Sequence, residues 1–92
     1  MAIFGKIEDL KAWLIERGNP DTIVLEDEAF LRALVGISHE GRLVYAFDEM
    51  VIGLMERDGM DMEEAAEFIE YNTLPALRAM GPKAPHIMYY II

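Results

Sequence analysis

The sequence predicts a small α+β domain, in which a mixed or antiparallel sheet of about four strands packs against three to four helices. Three observations predict this class: a β-hairpin pattern at residues 34–47, helical patterns on both sides of it, and a strand-like run that ends at residue 92. A chain of 92 residues has room for one hydrophobic core. We therefore expect residues 1–92 to form a single domain.

The chain begins with a predicted helix from about Lys6 to Arg17, because apolar residues recur there at helical spacing. Gly18, followed by a proline two residues later, predicts the end of this helix. Residues 21–25 (DTIVL) predict a short strand because of their β-branched side chains. Residues 26–33 fit either one or two helical turns or an extended loop that places Phe30 in the core, and the pattern favours the helix.

The hairpin consists of two apolar runs joined by residues 38–41 (SHEG). This connection is typical of a type I turn with Gly41 in the left-handed conformation. Alternation places Leu43, Tyr45 and Phe47 on one face of the second strand. Because both faces of the hairpin are largely apolar, we expect helices or a partner subunit to cover both.

Two helices are predicted after the hairpin. Residues 48–58 form the first, with Asp48 as its cap. Asp61 and Glu64 form a capping-box pattern for the second, which covers Met62 to about Asn72. The short connection predicts a helical hairpin. The predicted buried side of the second helix consists of Met62, Ala65 and Ile69, with Phe68 as a further candidate.

Pro75 interrupts this pattern, so a separate helical turn is predicted from Leu74 or Thr73 through Met80. Residues 86–92 (HIMYYII) then predict a strand. Because this strand is apolar on both faces, we expect it in the centre of the sheet. At an edge it would instead promote aggregation or dimerisation.

The composition excludes several classes of protein. Without cysteine the chain has no disulfide and no thiolate nucleophile, which fits a cytoplasmic location. It has no signal peptide and no apolar run of the roughly 20 residues that span a bilayer, so no membrane association is expected. The net charge of −9 disfavours direct contact with nucleic-acid phosphates and with anionic lipids.

Motifs for catalysis, cofactors and metals are not recognisable in the sequence. His39-Glu40 begins like the zinc motif HExxH, but Leu43 occupies the position of the second histidine. A calcium loop beginning at Asp58 would need oxygen ligands where Met60 and Met62 stand. We therefore predict no catalytic, cofactor-binding or metal-binding residues, and we do not expect an enzyme.

Acidic residues concentrate in the predicted helical hairpin. Residues 48–70 contain nine acidic residues and one basic residue, whereas residues 71–92 contain no acidic residue. Helix dipoles explain acids near helix N-termini, and a solvated helix face is the alternative to a functional one. Glu63, Glu67 and Glu70 follow i, i+4, i+7 spacing and so form one stripe. The predicted protein-interaction residues are Glu56, Asp58, Glu63, Glu67 and Glu70.

Three functions are compatible with this sequence. The first is a non-enzymatic interaction protein whose acidic helical hairpin docks on a basic protein surface, such as one that binds nucleic acid. The second is a structural or assembly homodimer that associates through the C-terminal strand and the outer apolar face of the hairpin. The third is a small-molecule binder or enzyme with a pocket lined by Tyr45, Asn72, Thr73, His86 and Tyr89.

The segments HEGRLVYAFDEMV and GMDMEEAAEFIEYNTLPALRAMGPKAPHIMY resemble a group of small uncharacterised proteins of bacterial phages and prophages. The shared pattern is a His-x-Gly-Arg turn, Val-Tyr, a Met-Val helix, and Tyr-Asn-Thr before a tail that contains proline. The resemblance covers residues 34–90 and brings no established activity. It implies a host-takeover or counter-defence factor, a class that includes anti-CRISPR proteins, which often occupy a nucleic-acid-binding surface.

Overall fold

A computed structural model describes residues 3–91 of the chain. Within these residues it contains four α-helices and a three-stranded sheet, which confirms the α+β class. The elements in chain order are α1 (Ile7–Glu16), a 3₁₀-helix (Glu28–Ala33), β1 (Leu34–Ile37), β2 (Leu43–Ala46), α2 (Phe47–Asp58), α3 (Met62–Phe68), a π-helical turn (Ile69–Thr73), α4 (Leu74–Ala79) and β3 (His86–Met88).

The sheet has the strand order β1-β2-β3, with β1 antiparallel and β3 parallel to β2. The predicted central position of the C-terminal strand is therefore wrong, because β3 lies at an edge. The central strand is β2, whose neighbouring residues Tyr45 and Ala46 are both completely buried, one on each face. The part of the predicted strand beyond Met88 has no strand partner, and Ile92 lies outside the described residues.

The predicted strand at residues 21–25 is also wrong. This segment is irregular, and its backbone donors do not form a ladder with another strand. The N–H of Leu25 donates to the hydroxyl oxygen of Tyr45 at 3.2 Å. The N–H of Ile23 donates to the carbonyl oxygen of Lys83 in a loop, at 3.4 Å. Strand propensity alone does not form a strand when the nearest acceptors are a side chain and a loop.

The hairpin turn has the predicted form. Gly41 adopts the left-handed conformation with φ 79°, and its N–H donates to the carbonyl of Ser38 at 2.9 Å. Two distant segments fasten the turn. Nε of Arg42 donates to the carbonyl of Ala84 at 2.6 Å, and Oγ1 of Thr22 donates to the carbonyl of Gly41 at 2.8 Å. The turn therefore joins the N-terminal and C-terminal segments to the sheet.

The ambiguous segment after residue 25 forms the 3₁₀-helix, which supports the helical interpretation. The Asp27 carboxylate caps it by accepting from the N–H of Ala29, and Phe30 is 3% exposed in the core. This short helix packs against α2. The main core is formed by Ile7, Leu10, Leu14, Phe30, Leu31, Leu43, Tyr45, Met50, Leu54, Ala65, Ile69 and Leu77.

The predicted cap of α2 by Asp48 is wrong. Strand β2 continues directly into the helix, so that Ala46 is the residue before the first turn and provides no side-chain cap. Asp48 lies inside the first turn. Its Oδ2 instead accepts a hydrogen bond from the backbone N–H of Tyr90 at 3.1 Å. Asp48 thus fastens the C-terminal segment to the start of α2.

The capping box of α3 is confirmed, because Asp61 and Glu64 each accept from the backbone N–H of the other. The helical turn predicted around Pro75 is confirmed as α4, which follows Thr73 and has Pro75 in its first turn. No break separates it from α3, because helical backbone continues from residue 62 to residue 79. The π-helical turn accommodates the proline. Proline excludes a close carbonyl four residues earlier, and a π turn, in which Leu74 bonds to Ile69, widens the helix just before it.

Candidate protein-interaction surface

The five predicted interaction carboxylates fall into two groups. The first group, Glu56 and Asp58, lies on α2 and is engaged within the protein. Nη1 of Arg32 contacts Oε1 of Glu56 at 2.6 Å, and Nη2 of Arg57 contacts Oδ2 of Asp58 at 2.8 Å. Arg57 also contacts Asp27 at the start of the 3₁₀-helix. These contacts connect α2 to the 3₁₀-helix, so Glu56 and Asp58 have a structural explanation.

The charges of this group are mutually stabilised. The hydrogen bonds to Asp58 and Asp27 raise the pKa of the Arg57 guanidinium above its ordinary value. The hydrogen bond from Arg57 holds the pKa of the Asp58 carboxyl below its ordinary value. Both groups stay ionised at neutral pH, but their opposite charges nearly cancel at a distance. Asp58 therefore adds little to an outward negative field.

The second group, Glu63, Glu67 and Glu70, lies on α3 and the π-helical turn. All three side chains are exposed, and none takes part in an ion pair in the described part of the chain. Their i, i+4, i+7 spacing places them along one side of the helix. Ala65 and Ile69, both completely buried, mark the opposite side. This stripe therefore faces away from the core.

Two exposed aromatic side chains lie beside the stripe. Tyr71 is 73% exposed and follows Glu67 by one helical turn, while Phe68 is 38% exposed and precedes Tyr71 by three residues. We call this side of the helix the acidic-aromatic surface. It consists of Glu63, Glu67, Phe68, Glu70 and Tyr71. Tyr71 was not among the interaction residues predicted from the sequence. Its position one turn after Glu67 and away from the Ala65–Ile69 side is the signal that could have identified it.

The predicted burial of α3 is only partly correct. Ala65 and Ile69 are buried, but Met62 is 67% exposed and Phe68 is partly exposed, so their predicted burial is wrong. Met62 lies in the first turn, beside the connection from α2, where the helix has not yet reached the core. The small side chain of Ala65 provides the close contact, which leaves Phe68 at the margin of the packed side.

The five residues proposed for a ligand pocket do not form one. Tyr45 is completely buried, and burial raises the pKa of its phenol to about 12. His86 pairs with Val44 across the sheet and therefore lies on the other face from Tyr45. Two of the other three residues are engaged elsewhere: Nδ2 of Asn72 donates to the Phe68 carbonyl, and the Tyr89 ring lies against Phe47. None of the cavities described for residues 3–91 is lined by any of the five.

A surface groove of about 500 Å³ lies between α1 and the irregular segment at residues 20–26. Its floor is apolar and includes Leu14, Ile23 and Val24. The charged groups at its rim, Lys11 and Glu26, form an ion pair with each other at 2.9 Å. The lining contains no histidine, and its two titratable side chains, Lys11 and Glu26, are paired with each other.

Residues 3–91 contain no cluster of three side chains that could hold a metal ion. The helices of this part of the chain are too short and too polar to cross a membrane. No protein-family model matches the chain, and neither the curated proteins nor the solved structures include a significant match. The function is therefore argued from the acidic-aromatic surface itself.

Proposed function

We propose that this protein is a non-enzymatic interaction protein whose acidic-aromatic surface docks on a basic surface of another protein. The observation that carries the proposal is a combination on one exposed helical side. Three carboxylates have no ion-pair partner among residues 3–91, and a neighbouring tyrosine is 73% exposed. Each feature has an ordinary explanation alone. Together they provide attraction at long range and contact area at short range.

The carboxylates supply the attraction. The chain has a net charge of −9, so a positively charged partner is drawn towards it from a distance. Like charges at i, i+4 spacing, such as Glu63 and Glu67, destabilise a helix by a few tenths of a kcal/mol. A Lys or Arg side chain from the partner removes this repulsion. Docking thus gains from both the new ion pairs and the relief within the stripe.

The aromatic rings supply the contact area. Tyrosine is enriched among the interface residues whose truncation weakens binding most, because it buries a large rigid ring and keeps a hydroxyl for hydrogen bonding. Tyr71 lies one turn from Glu67, and Phe68 lies on the same flank. A partner that covers the stripe would therefore also bury Tyr71. The acids set the orientation, and the rings slow dissociation.

The proposed partner surface is one that normally binds nucleic acid. Such surfaces carry clustered Lys and Arg side chains that contact successive phosphates. A row of carboxylates along a helix, about 5–6 Å apart, presents a comparable series of negative charges. The resemblance to phage and prophage proteins favours a bacterial host protein in the cytoplasm as the target. The protein would then act by occupying the site of the nucleic acid.

The experiment is affinity capture from a bacterial lysate with three forms of the protein. The first is the wild type, and the second reverses the stripe (Glu63→Lys, Glu67→Lys and Glu70→Lys). The third is a matched control that reverses three exposed acids outside it (Glu8→Lys, Glu16→Lys and Asp21→Lys). Circular dichroism establishes that all three are folded.

The proposal predicts a captured protein that the wild type and the control retain and the stripe variant loses. Because the two variants have equal net charge, such a difference reports the surface rather than the overall charge. Equal capture by the stripe variant and the wild type would refute the proposal. If both variants lose the captured protein equally, the overall charge explains the capture, and the proposal is also refuted.

A further inference from the structure

Strand β3 is a three-residue strand at an edge of the sheet. Edge strands usually carry lysine, proline, an inward-pointing charge or a bulge, which prevents pairing with another chain. Residues 87–91 carry none of these charges and no proline. The side chains beyond the strand are apolar or aromatic and uncovered: Tyr89 is 59%, Tyr90 42% and Ile91 fully exposed. This edge therefore has the properties of a strand-addition site.

Strand pairing with β2 ends at Met88, but the following residues stay close to the start of α2. Tyr45 pairs with Ile87, and two residues further on the ring of Phe47 lies 4.9 Å from the ring of Tyr89. The N–H of Tyr90 points back towards the body of the protein, where it donates to Asp48. In a strand, successive residues direct their N–H and C=O groups to opposite edges. In an extended continuation of β3, which the Tyr90–Asp48 hydrogen bond fits, the N–H and C=O groups of residues 87, 89 and 91 would face the open edge.

We propose that this edge joins two copies of the chain by antiparallel pairing of residues 87–91. The three outward-facing residues are symmetric about Tyr89, which would lie on the two-fold axis opposite Tyr89 of the other copy. Ile87 of each copy would then be opposite Ile91 of the other. Each of these facing pairs exchanges two backbone hydrogen bonds. Because both copies use the same edge, the pairing closes with two copies, and β1 remains the edge strand at each end of the joined sheet.

Charge identifies a second copy as the occupant. Each copy has a net charge of −9, so most of its surface repels another copy. Residues 71–92 contain no acidic residue, which makes the C-terminal edge a place where two copies meet without facing carboxylates. The two acids beside the edge are already engaged. Glu40 contacts His86 at 3.2 Å, and Asp48 accepts from Tyr90.

Sedimentation equilibrium of the full chain tests this dimer at about 50 μM, a concentration at which a micromolar dimer is largely formed. The wild type is expected to sediment at twice the mass of one chain. Ile91→Pro removes an outward N–H without touching the fold, because Ile91 is fully exposed, and should weaken the dimer at least about tenfold. The matched control Ile91→Val keeps the N–H and should remain dimeric.

A second variant tests the two-fold axis. Tyr89→Glu places two carboxylates opposite each other and should yield monomers at low salt. A monomeric wild type would overturn the proposal. If Ile91→Pro and Tyr89→Glu both dimerise as strongly as the wild type, the proposal is also overturned, because the contact between the copies would then lie elsewhere. The stripe variant with reversed Glu63, Glu67 and Glu70 should dimerise like the wild type, so this proposal and the proposed function are tested separately.

Discussion

Gly53 of α2 lies so close to Ala29 of the 3₁₀-helix that a β-carbon at position 53 would be 2.0 Å from the Ala29 carbonyl oxygen. The two helices can approach this closely only because glycine has no side chain. Glu49 and Glu56, one turn before and one turn after Gly53, both contact Arg32 from the same 3₁₀-helix. The close approach of Gly53 to Ala29 and the ion pairs of Arg32 thus hold the same two elements together, α2 and the 3₁₀-helix.

Gly53→Ala is expected to destabilise the protein by about 1–3 kcal/mol, because backbone must move to make room for the added carbon. In an exposed helix the same substitution stabilises by about 1 kcal/mol, so the sign is diagnostic. The free energy of unfolding in urea measures it. Gly36→Ala is the control, because a β-carbon at Gly36 meets nothing within 4 Å. A Gly53→Ala variant as stable as the wild type would contradict the close contact.

Tyr45→Phe is expected to cost about 1–3 kcal/mol, because it leaves the buried N–H of Leu25 without an acceptor. The aromatic ring is retained, so the loss reports the hydrogen bond rather than packing. Tyr71→Phe provides the control, since Tyr71 is exposed and its stability effect should lie within about 0.5 kcal/mol. Equal stability of the two variants in chemical denaturation would rule out a structural role for the Tyr45 hydroxyl.

Stability at high pH should depend on Tyr45. Its pKa is raised from 10.0 to about 12 by burial, so the folded state holds the phenol proton more tightly than the unfolded state. The contribution is intact below pH 10 and is lost as the pH rises towards 12. Its size is of the order of 2–3 kcal/mol.

This dependence is measured by denaturant unfolding of the wild type and of Tyr45→Phe at pH values of about 9, 10, 11 and 12. These values cover approximately the interval over which the pKa is raised. The wild type should lose more stability across the series than the variant, because the variant lacks the titrating phenol. Other groups that titrate in this range are common to both proteins and cancel in the difference. Parallel curves for the two proteins would contradict the raised pKa.

Tyr71→Ala should weaken binding to the captured partner at least about tenfold, because the ring supplies much of the buried contact. Calorimetric titration gives the ratio of dissociation constants. Ile15→Ala is a suitable comparison, since Ile15 is also more than half exposed but lies on α1. If both substitutions weaken binding equally, the aromatic part of the proposed surface is wrong.

Elements with local signals were predictable from the sequence. Gly18, Gly41 and Gly59 all adopt the left-handed conformation at the predicted ends of helices or of the hairpin turn. The capping box at Asp61 depends on residues only three apart. In each case the residues that determine the structure are neighbours in the chain, so the sequence pattern contains the necessary information.

Features that depend on distant residues were not predictable. The strand predicted at residues 21–25 lacks a ladder because its donors bond to Tyr45 and Lys83, which are far away in the sequence. The edge position of β3 depends on its pairing with β2. The helix continues past Pro75 because a π turn precedes it. None of these partners can be identified from local propensity.

The candidate site shows the same division. The stripe of Glu63, Glu67 and Glu70 follows from helical spacing alone. The separation of Glu56 and Asp58 from that stripe does not, because it depends on Arg32 from the 3₁₀-helix and on Arg57, whose side chain also reaches Asp27. A count of acidic residues in the sequence therefore overestimates the number of unpaired carboxylates, because it does not show which of them contact arginines.

Competition with nucleic acid tests the central claim most directly. The captured partner is bound to a labelled nucleic acid, and increasing amounts of each form of the protein are added. The wild type and the Glu8, Glu16 and Asp21 control should displace the nucleic acid at similar concentrations. The form with reversed Glu63, Glu67 and Glu70 should fail to displace it. Displacement by that form at the wild-type concentration would contradict the account.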